Sequence, residues 1–286
     1  MPSMVVVGSI NLDIVARAAR LPTPAAKVTD ALIMRYPGGS AANQALAARR
    51  LGANVALIGR VGRDADADAA LALLREGGVD IAGVDAVPDA ATGVALIAVA
   101  ASGENQIIVA PGANLRLATE SLQLPAVDAL IGETLTPGDA VTRAVGTFEG
   151  FTCVTLATAS EVDDAVLRDS DLIVVNESEA AWYGDRLALR EGLIAKTFGA
   201  SGAALFRGGE EIARSSSPAA MAVDTTGAGD AFTAALSLGL VEGKPYAEAL
   251  RFACAAGATA TQRRGAQPSL PTRDEVERVL RDTELG

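Results

Sequence analysis

Short apolar runs alternate along this chain with longer stretches whose apolar positions recur at helical spacing. Residues 4–10, 55–61, 128–131, 153–157, 172–176 and 203–206 read as strands, and helices are predicted near 41–51, 65–76, 140–148, 231–240, 246–261 and 273–281. Gly52 reads as the stop of the alanine-rich helix before it. Strands alternating with helices predict an α/β fold, a three-layer sandwich with a mostly parallel central sheet covered on both faces. One part breaks the rhythm. Residues 92–99 and 106–109 flank Ser102-Gly103-Glu104-Asn105 and read as an antiparallel hairpin, and another extended stretch lies around 28–34. Together, within about 14–36 and 91–110, they are expected to form a small separate sheet, either a lid over a site or a plain structural hairpin.

Length and composition narrow the function. The 286 residues, 50% of them hydrophobic, suffice for one main domain spanning 1–286. A formal net charge of -11 argues against a nucleic-acid partner, which needs a basic face, and favours a small-molecule substrate. Cys153 and Cys254 form neither a CxxC pair nor a disulfide framework. The apolar start at 4–7 runs into Gly8 without a signal-peptide pattern, and no run is long enough to span a bilayer, so a soluble, cytoplasmic chain is expected. There is no histidine, which excludes Ser-His-Asp hydrolysis, HExxH chemistry and imidazole proton shuttling. General acid and base work then falls to other side chains, carboxylates among them.

Three segments carry candidate chemistry. In Asp224-Thr225-Thr226-Gly227-Ala228-Gly229-Asp230, a glycine-rich turn opens a small-residue helix, gathering free amides beside a carboxylate able to take a proton from a hydroxyl. Neither a GxxxxGK[ST] run nor a GxGxxG after the first strand is present, so this phosphate cradle belongs to neither common nucleotide fingerprint. The missing fingerprint also argues against a dinucleotide-dependent dehydrogenase. Gly8-Ser9-Ile10-Asn11-Leu12-Asp13 places an amide and a carboxylate just past the first strand, where open α/β sheets bind ligands and where Asn and Asp also serve simply as turn formers. Pro37-Gly38-Gly39-Ser40-Ala41-Ala42-Asn43-Gln44 reads as a glycine entry with a serine N-cap, leading into a helix that carries Asn43 in its first turn.

These segments, with Asn176-Glu177-Ser178-Glu179 and Gly265-Ala266-Gln267-Pro268-Ser269, closely resemble in order the ribokinase-like PfkB carbohydrate-kinase family, over essentially the whole chain. The resemblance implies transfer of the γ-phosphoryl of ATP to a sugar hydroxymethyl group, ribose to ribose 5-phosphate in the first instance. Kinases of other sugars, sugar acids or nucleosides remain alternatives, as does a binding module without catalysis. Asp230 matches the family's base, and Gly227, Ala228 and Gly229 match its anion hole. Asn11, Asp13, Gly39, Ser40, Asn43 and Glu133 match the sugar side. Asn176, Glu179, Thr197, Gly199, Ser201, Gly202 and Cys254 match the ATP side, with Glu179 organising Mg2+ and its waters. Asp224, Thr226, Ala260, Arg263, Gly265 and Ser269 match an activating K+ site, and the small sheet matches a lid that also forms a homodimer contact. Ser40 stands where the family usually has a lysine, Leu156-Ala157-Thr158-Ala159-Ser160 replaces an NPAP-like segment, and 185–196 is short.

Overall fold

Strand β1 (Ser3–Val7) sets the layering, because Met4 and Val6 point into one apolar cluster and Val5 and Val7 into another, all fully buried. A strand apolar on both sides needs cover on both sides. The computed structural model describes every residue except 120, 121, 135, 157–160, 189, 190 and 286. The further strands are β2 (Asn11–Ala18), β3 (Leu32–Gly38), β4 (Asn54–Gly62), β5 (Asp80–Val87), β6 (Gly93–Ala100), β7 (Asn105–Ala110), β8 (Ala129–Glu133), β9 (Phe151–Thr155), β10 (Leu172–Asn176), β11 (Leu193–Thr197), β12 (Ala203–Arg207) and β13 (Glu210–Ser215). The helices are α1 (Ser40–Arg50), α2 (Ala65–Glu76), α3 (Gly138–Thr147), α4 (Asp164–Asp169), α5 (Glu177–Tyr183), α6 (Asp185–Ala188), α7 (Ala228–Val241), α8 (Tyr246–Ala260), α9 (Ala266–Ser269) and α10 (Arg273–Leu285).

Among the described residues the strands form two sheets: nine in the order β13-β12-β11-β10-β9-β8-β1-β4-β5, and four in the order β3-β2-β6-β7. In the large sheet only β12 and β13 run antiparallel to their neighbours. Leu46 of α1, Leu236 of α7 and Leu250 of α8 pack with Met4 and Val6 on one face; Val141 of α3 and Leu167 of α4 pack with Val5 and Val7 on the other. The expected α/β sandwich with a second small sheet is what the chain forms.

Several boundaries differ from the sequence reading. The strand expected over 4–10 ends at Val7, and the chain resumes at Asn11 as β2, a strand of the small sheet. Asn11 and Asp13 had the look of a post-strand turn because both residue types are poor strand formers. The extended stretch expected around 28–34 becomes a strand only at Leu32. Strands β5, β11 and β13 lack a continuous apolar run and were not anticipated. The end of the strand expected over 153–157 lies at Ala157, outside the described residues. Gly52 stops α1 as expected, with φ of 107°.

The two sheets are tied at Asp64. Its Oδ1 accepts from the Ala67 amide at 2.9 Å, capping α2, and from the Thr92 hydroxyl at 2.6 Å, while Oδ2 accepts from the Thr92 amide at 2.8 Å. The Thr92 hydroxyl in turn accepts from Gly62 N at 2.9 Å, so one carboxylate joins the end of β4, the start of α2 and the entry to β6. Asp64→Ala is expected to lower unfolding stability by about 1–3 kcal/mol in urea titration; a loss within about 0.5 kcal/mol, as at an ordinary surface position, would deny it this tying role.

Candidate active site

Strand β1 lies between β4 and β8, and the loop leaving its carboxyl end opens at the point where the sheet order reverses, the position at which open α/β sheets bind ligands. Ser9 N donates to Glu133 Oε1 at 2.6 Å, which fastens this loop to the end of β8. Asn114 completes the fastening: its Oδ1 accepts from Ile10 N at 2.9 Å, and its Nδ2 donates to Ile10 O at 3.2 Å and Asn11 Oδ1 at 2.8 Å. With its oxygen thus engaged, Asn11 keeps its amide donors for the cleft. Asp13 lies further along the same face of β2, opposite Tyr36, and its carboxylate reaches over Gly38, where an added Cβ would stand 2.3 Å from Asp13 Oδ2. Only glycine lets the backbone pass this carboxylate.

Helix α1 starts beside this loop. Gly39 occupies its N-cap, and Ser40, expected there, is instead the first helical residue. The first turns deliver Asn43 and Gln44 onto Asp230, at the start of α7. Asn43 Nδ2 donates to Asp230 Oδ2 at 2.8 Å, and Gln44 Nε2 donates to Oδ1 at 3.1 Å and to Thr155 Oγ1 of β9 at 3.3 Å. Asn43 Oδ1 and Gln44 Oε1 are buried and have no partner among the described residues. An unpartnered acceptor beside the cleft suits a hydroxyl-bearing ligand. Burial pushes the Asp230 carboxyl up to about 7, the Asn43 and Gln44 amides oppose this, and Glu133 and Asp13 add to it. Asp13 is pushed up to about 6, by burial first and then by Asp224.

The turn before α7 behaves as the sequence suggests. Gly227, at φ of 80°, takes the left-handed N-cap position, and no side chain caps the helix. The Ala228 amide returns to Thr225 O at 3.2 Å, whereas a Cβ on Gly229 would meet nothing within 4 Å, so the turn faces open space at Gly229. Cavities lie on either side of it. One of about 590 Å3 is lined by Thr197, Gly199, Gly202, Phe232 and Cys254 and reaches Ala228 and Gly229. The other, about 210 Å3, is lined by Asp13, Arg17, Tyr36, Asn105 and Thr226 under the small sheet. The Cys254 thiol is pushed by burial up to about 11, so it lines the larger cavity as an inert apolar group.

Other expected residues take different positions. Ser201 sits beside Gly202 but does not line the larger cavity, and Asn176 and Glu179 form a capping box on α5: Glu179 N donates to Asn176 Oδ1 at 2.9 Å and Asn176 N to Glu179 Oε2 at 2.8 Å. Burial raises the Glu179 carboxyl against the opposing pull of the Asn176 contacts. Among the described residues no three His, Cys, Asp or Glu side chains gather as a metal site, and the Glu179 carboxylate would offer a single hard oxygen donor. That suits a magnesium ion carried by nucleotide phosphates better than one caged by protein.

The set expected to hold potassium splits in two. Asp224 Oδ1 accepts from Thr226 N at 3.1 Å and Thr226 Oγ1 at 2.6 Å; Oδ2 accepts from Gly265 N at 3.1 Å and Arg17 Nη2 at 3.1 Å. Four donors on two oxygens leave no lone pair for a cation while Arg17 is docked, so this set does not fit potassium as it stands. Arg263 donates to Ser269 O at 3.2 Å and pairs with Glu275, the Ser269 hydroxyl donates to Ala266 O at 2.8 Å, and Ala260 ends α8. Gln44, Asn114 and Arg17 received no role from the sequence. Gln44 was legible as the neighbour of Asn43 on the same first turn, whereas Asn114 and Arg17 act across long sequence separations that no local pattern marks.

The sequence matches the profile of the pfkB family carbohydrate kinases over residues 1–273. It is 34% identical to the ribokinase of Bacillus subtilis, with 98% of this chain and 100% of that protein covered. Among solved structures it resembles the ribokinase of Thermotoga maritima, with a TM-score of 0.90 at 29% identity, covering 98% of this chain and 100% of that one. It also resembles the Arabidopsis thaliana ribokinase complexed with ribose and ATP, with a TM-score of 0.83 at 29% identity and 98% of each chain covered. With a carboxylate beside an open glycine turn and this likeness along its length, the chain belongs to the pfkB family of carbohydrate kinases.

Proposed function

We propose that this kinase transfers the γ-phosphoryl of ATP to the hydroxymethyl oxygen of ribose, with Asp230 as general base. The observation that carries the reading is the Asp230 carboxylate, held by Asn43 and Gln44 and set directly after the turn that opens at Gly229. Names of the relatives, and the ribose and ATP of the Arabidopsis complex, support the choice of substrates. Ribose sits against Asn11, Asp13, Gly39, Ser40, Asn43 and Glu133, where the β1–β2 loop meets the start of α1, next to the cavity that Asp13 lines under the small sheet; that sheet acts as a lid in a single 1–286 kinase domain. The nucleotide occupies the larger cavity, toward Thr197, Gly199, Ser201, Gly202 and Cys254. Each Asp230 oxygen accepts one amide bond and retains a lone pair, so the carboxylate takes the hydroxyl proton as the oxygen bonds to the γ-phosphorus and the bond to ADP breaks. Amides of the 227–229 turn meet the charge on the moving phosphoryl. Glu179 would hold magnesium through its waters, the ion supplying charge neutralisation on the nucleotide phosphates when bound, and Asn176 would line the nucleotide side. Potassium enters this scheme only where Arg17 leaves Asp224.

The same sheet supports a homodimer. Leu32, Ile33, Leu96, Ile107 and Ile108 are exposed large apolar residues on it, 48% or more accessible. Leu32 and Ile107 fall on the cavity side of the sheet, whereas Ile33, Leu96 and Ile108 share the face turned away from it, and an exposed apolar face of this kind favours a self-complementary contact.

Coupled detection of ADP over ribose, deoxyribose, fructose, 2-keto-3-deoxygluconate and nucleosides tests the substrate, and ribose is expected to give the highest kcat/KM; a higher value with another acceptor would reassign it. Asp230→Asn is expected to lower kcat by about 10²-fold or more. Because the folded chain holds the Asp230 proton between the ordinary carboxylate range and about 7, stability falls as pH rises through that window. The Asn variant is therefore expected to keep or raise its Tm at pH 8, and a fall in both kcat and Tm would point to misfolding instead. For the wild type, kcat/KM is expected to rise with pH up to about 7 and then level, as the base loses its proton; a profile flat from pH 5 to 8 would remove Asp230 from the role. Ile108→Asp, outside the cleft, is expected to convert a dimer into a monomer in sedimentation velocity, and an unchanged mass would place the contact elsewhere.

A further inference from the structure

The cation-site carboxylate already has a cation. Alternate residues of β2 face one side, and Asn11, Asp13, Val15 and Arg17 form that row, since Val15 and Arg17 follow Asp13 in unbroken register with β6. The strand proposed to hold the sugar therefore ends on a guanidinium, which reaches Asp224 at 3.1 Å. The Asp224 side chain is only 12% exposed and that of Arg17 25%, so the pair is largely out of water. The Arg17 Nε is buried without a partner among the described residues, which leaves the Asp224 contact as the polar bond shown for this guanidinium. Asp224 in turn fixes the turn: through Thr226 N and Oγ1 on one side and Gly265 N on the other it sets the segment that runs into Gly227 and Asp230. Burial opposes ionisation of Asp224, but the Thr226 and Gly265 donors and the Arg17 charge outweigh it and hold its carboxyl below the usual range.

We propose that Arg17 is the built-in counterpart of the monovalent cation, a positioning residue whose fixed guanidinium charge orders the Asp224 carboxylate and the anion-binding turn without potassium. The inference rests on the kinase reading above and adds to it a source of charge. An arginine keeps its proton at any working pH and is less strongly hydrated than an ammonium, so it suits a half-buried carboxylate. It also belongs to the small sheet, so the charge arrives only when that sheet lies over the cleft. Removing the guanidinium vacates one lone pair of Asp224 Oδ2 beside Thr226, Gly265 and the end of α8, and a potassium ion can then occupy the place.

The test compares KCl with tetramethylammonium chloride at equal ionic strength. For the wild type, kcat/KM is expected to differ by less than about twofold between the salts, whereas Arg17→Ala is expected to lose about tenfold or more in tetramethylammonium and to regain most of it as KCl is titrated in. Arg17→Lys, which restores a charge, is expected to show the weaker salt dependence of the wild type. Thermal unfolding without sugar or nucleotide reads the same site independently of activity: KCl is expected to raise the Tm of Arg17→Ala over that in tetramethylammonium and to leave the wild type unmoved. Arg17→Gln repeats both measurements if the alanine variant does not fold. A wild type as potassium-dependent as Arg17→Ala would overturn the proposal, as would a variant that no potassium concentration restores or stabilises. If no sugar is phosphorylated in either salt the kinase reading fails, and the Tm comparison still decides the role of Arg17.

Discussion

The structure is organised around keeping a carboxylate in the protein interior at the mouth of a helix. Asp230 is enclosed by α1, α7 and the strand ends of the large sheet, and Glu133 and Asp13 stand near enough to raise its carboxyl further. Such a cluster of like charges is costly out of water. Donors offset part of that cost: Asn43 and Gln44 for Asp230 and Ser9 N for Glu133, while the neighbouring Asp224 is held by Thr226, Gly265 and Arg17. The residual imbalance raises the carboxyl groups of Asp230 and Asp13, and a raised carboxyl is the property that the base role proposed for Asp230 calls for.

That arrangement dictates much of the surrounding chain. Asn43 and Gln44 reach Asp230 only because α1 and α7 pack closely, which their small buried residues Ala41, Ala42, Ala45, Ala231, Ala234 and Ala235 allow. The β1–β2 connection must turn sharply between two sheets while presenting Asn11, and Asn114 takes both main-chain groups of Ile10 to hold it there. Catalytic geometry is thus set by packing remote in sequence, with the large sheet as the rigid reference and the small sheet fastened to it through Asp64 and Thr92.

How far the sequence revealed this follows from the range of the forces involved. Strands such as β10, with Leu172 and Val174 buried on one side and Ile173 and Val175 on the other, announce themselves as apolar runs, and the helices of the core do so by periodicity. The glycine turn before Asp230 was legible because its chemistry is local: backbone conformation, free amides and a carboxylate within one segment. Strand β2 was not, since its inward row of Asn11, Asp13, Val15 and Arg17 is mostly polar and so carries no apolar period. Asn176 and Glu179 show the converse. Their spacing satisfies a capping box on purely local grounds, so the pattern alone does not separate a helix start from a ligand site.

Arg17 shows why the undetected strand matters most. As an isolated residue it is one arginine among many; in the row of Asn11, Asp13 and Val15 on β2 it connects the small sheet to the turn before α7 through Asp224. A diffusible ion at that carboxylate would respond only to its own concentration. A guanidinium carried by the sheet is placed by where the sheet lies, so the role proposed for Arg17 would couple the ordering of Asn11 and Asp13 around a substrate to that of the turn before Asp230. Potassium independence and coupling between the two substrate sides are, on this argument, consequences of the same ion pair.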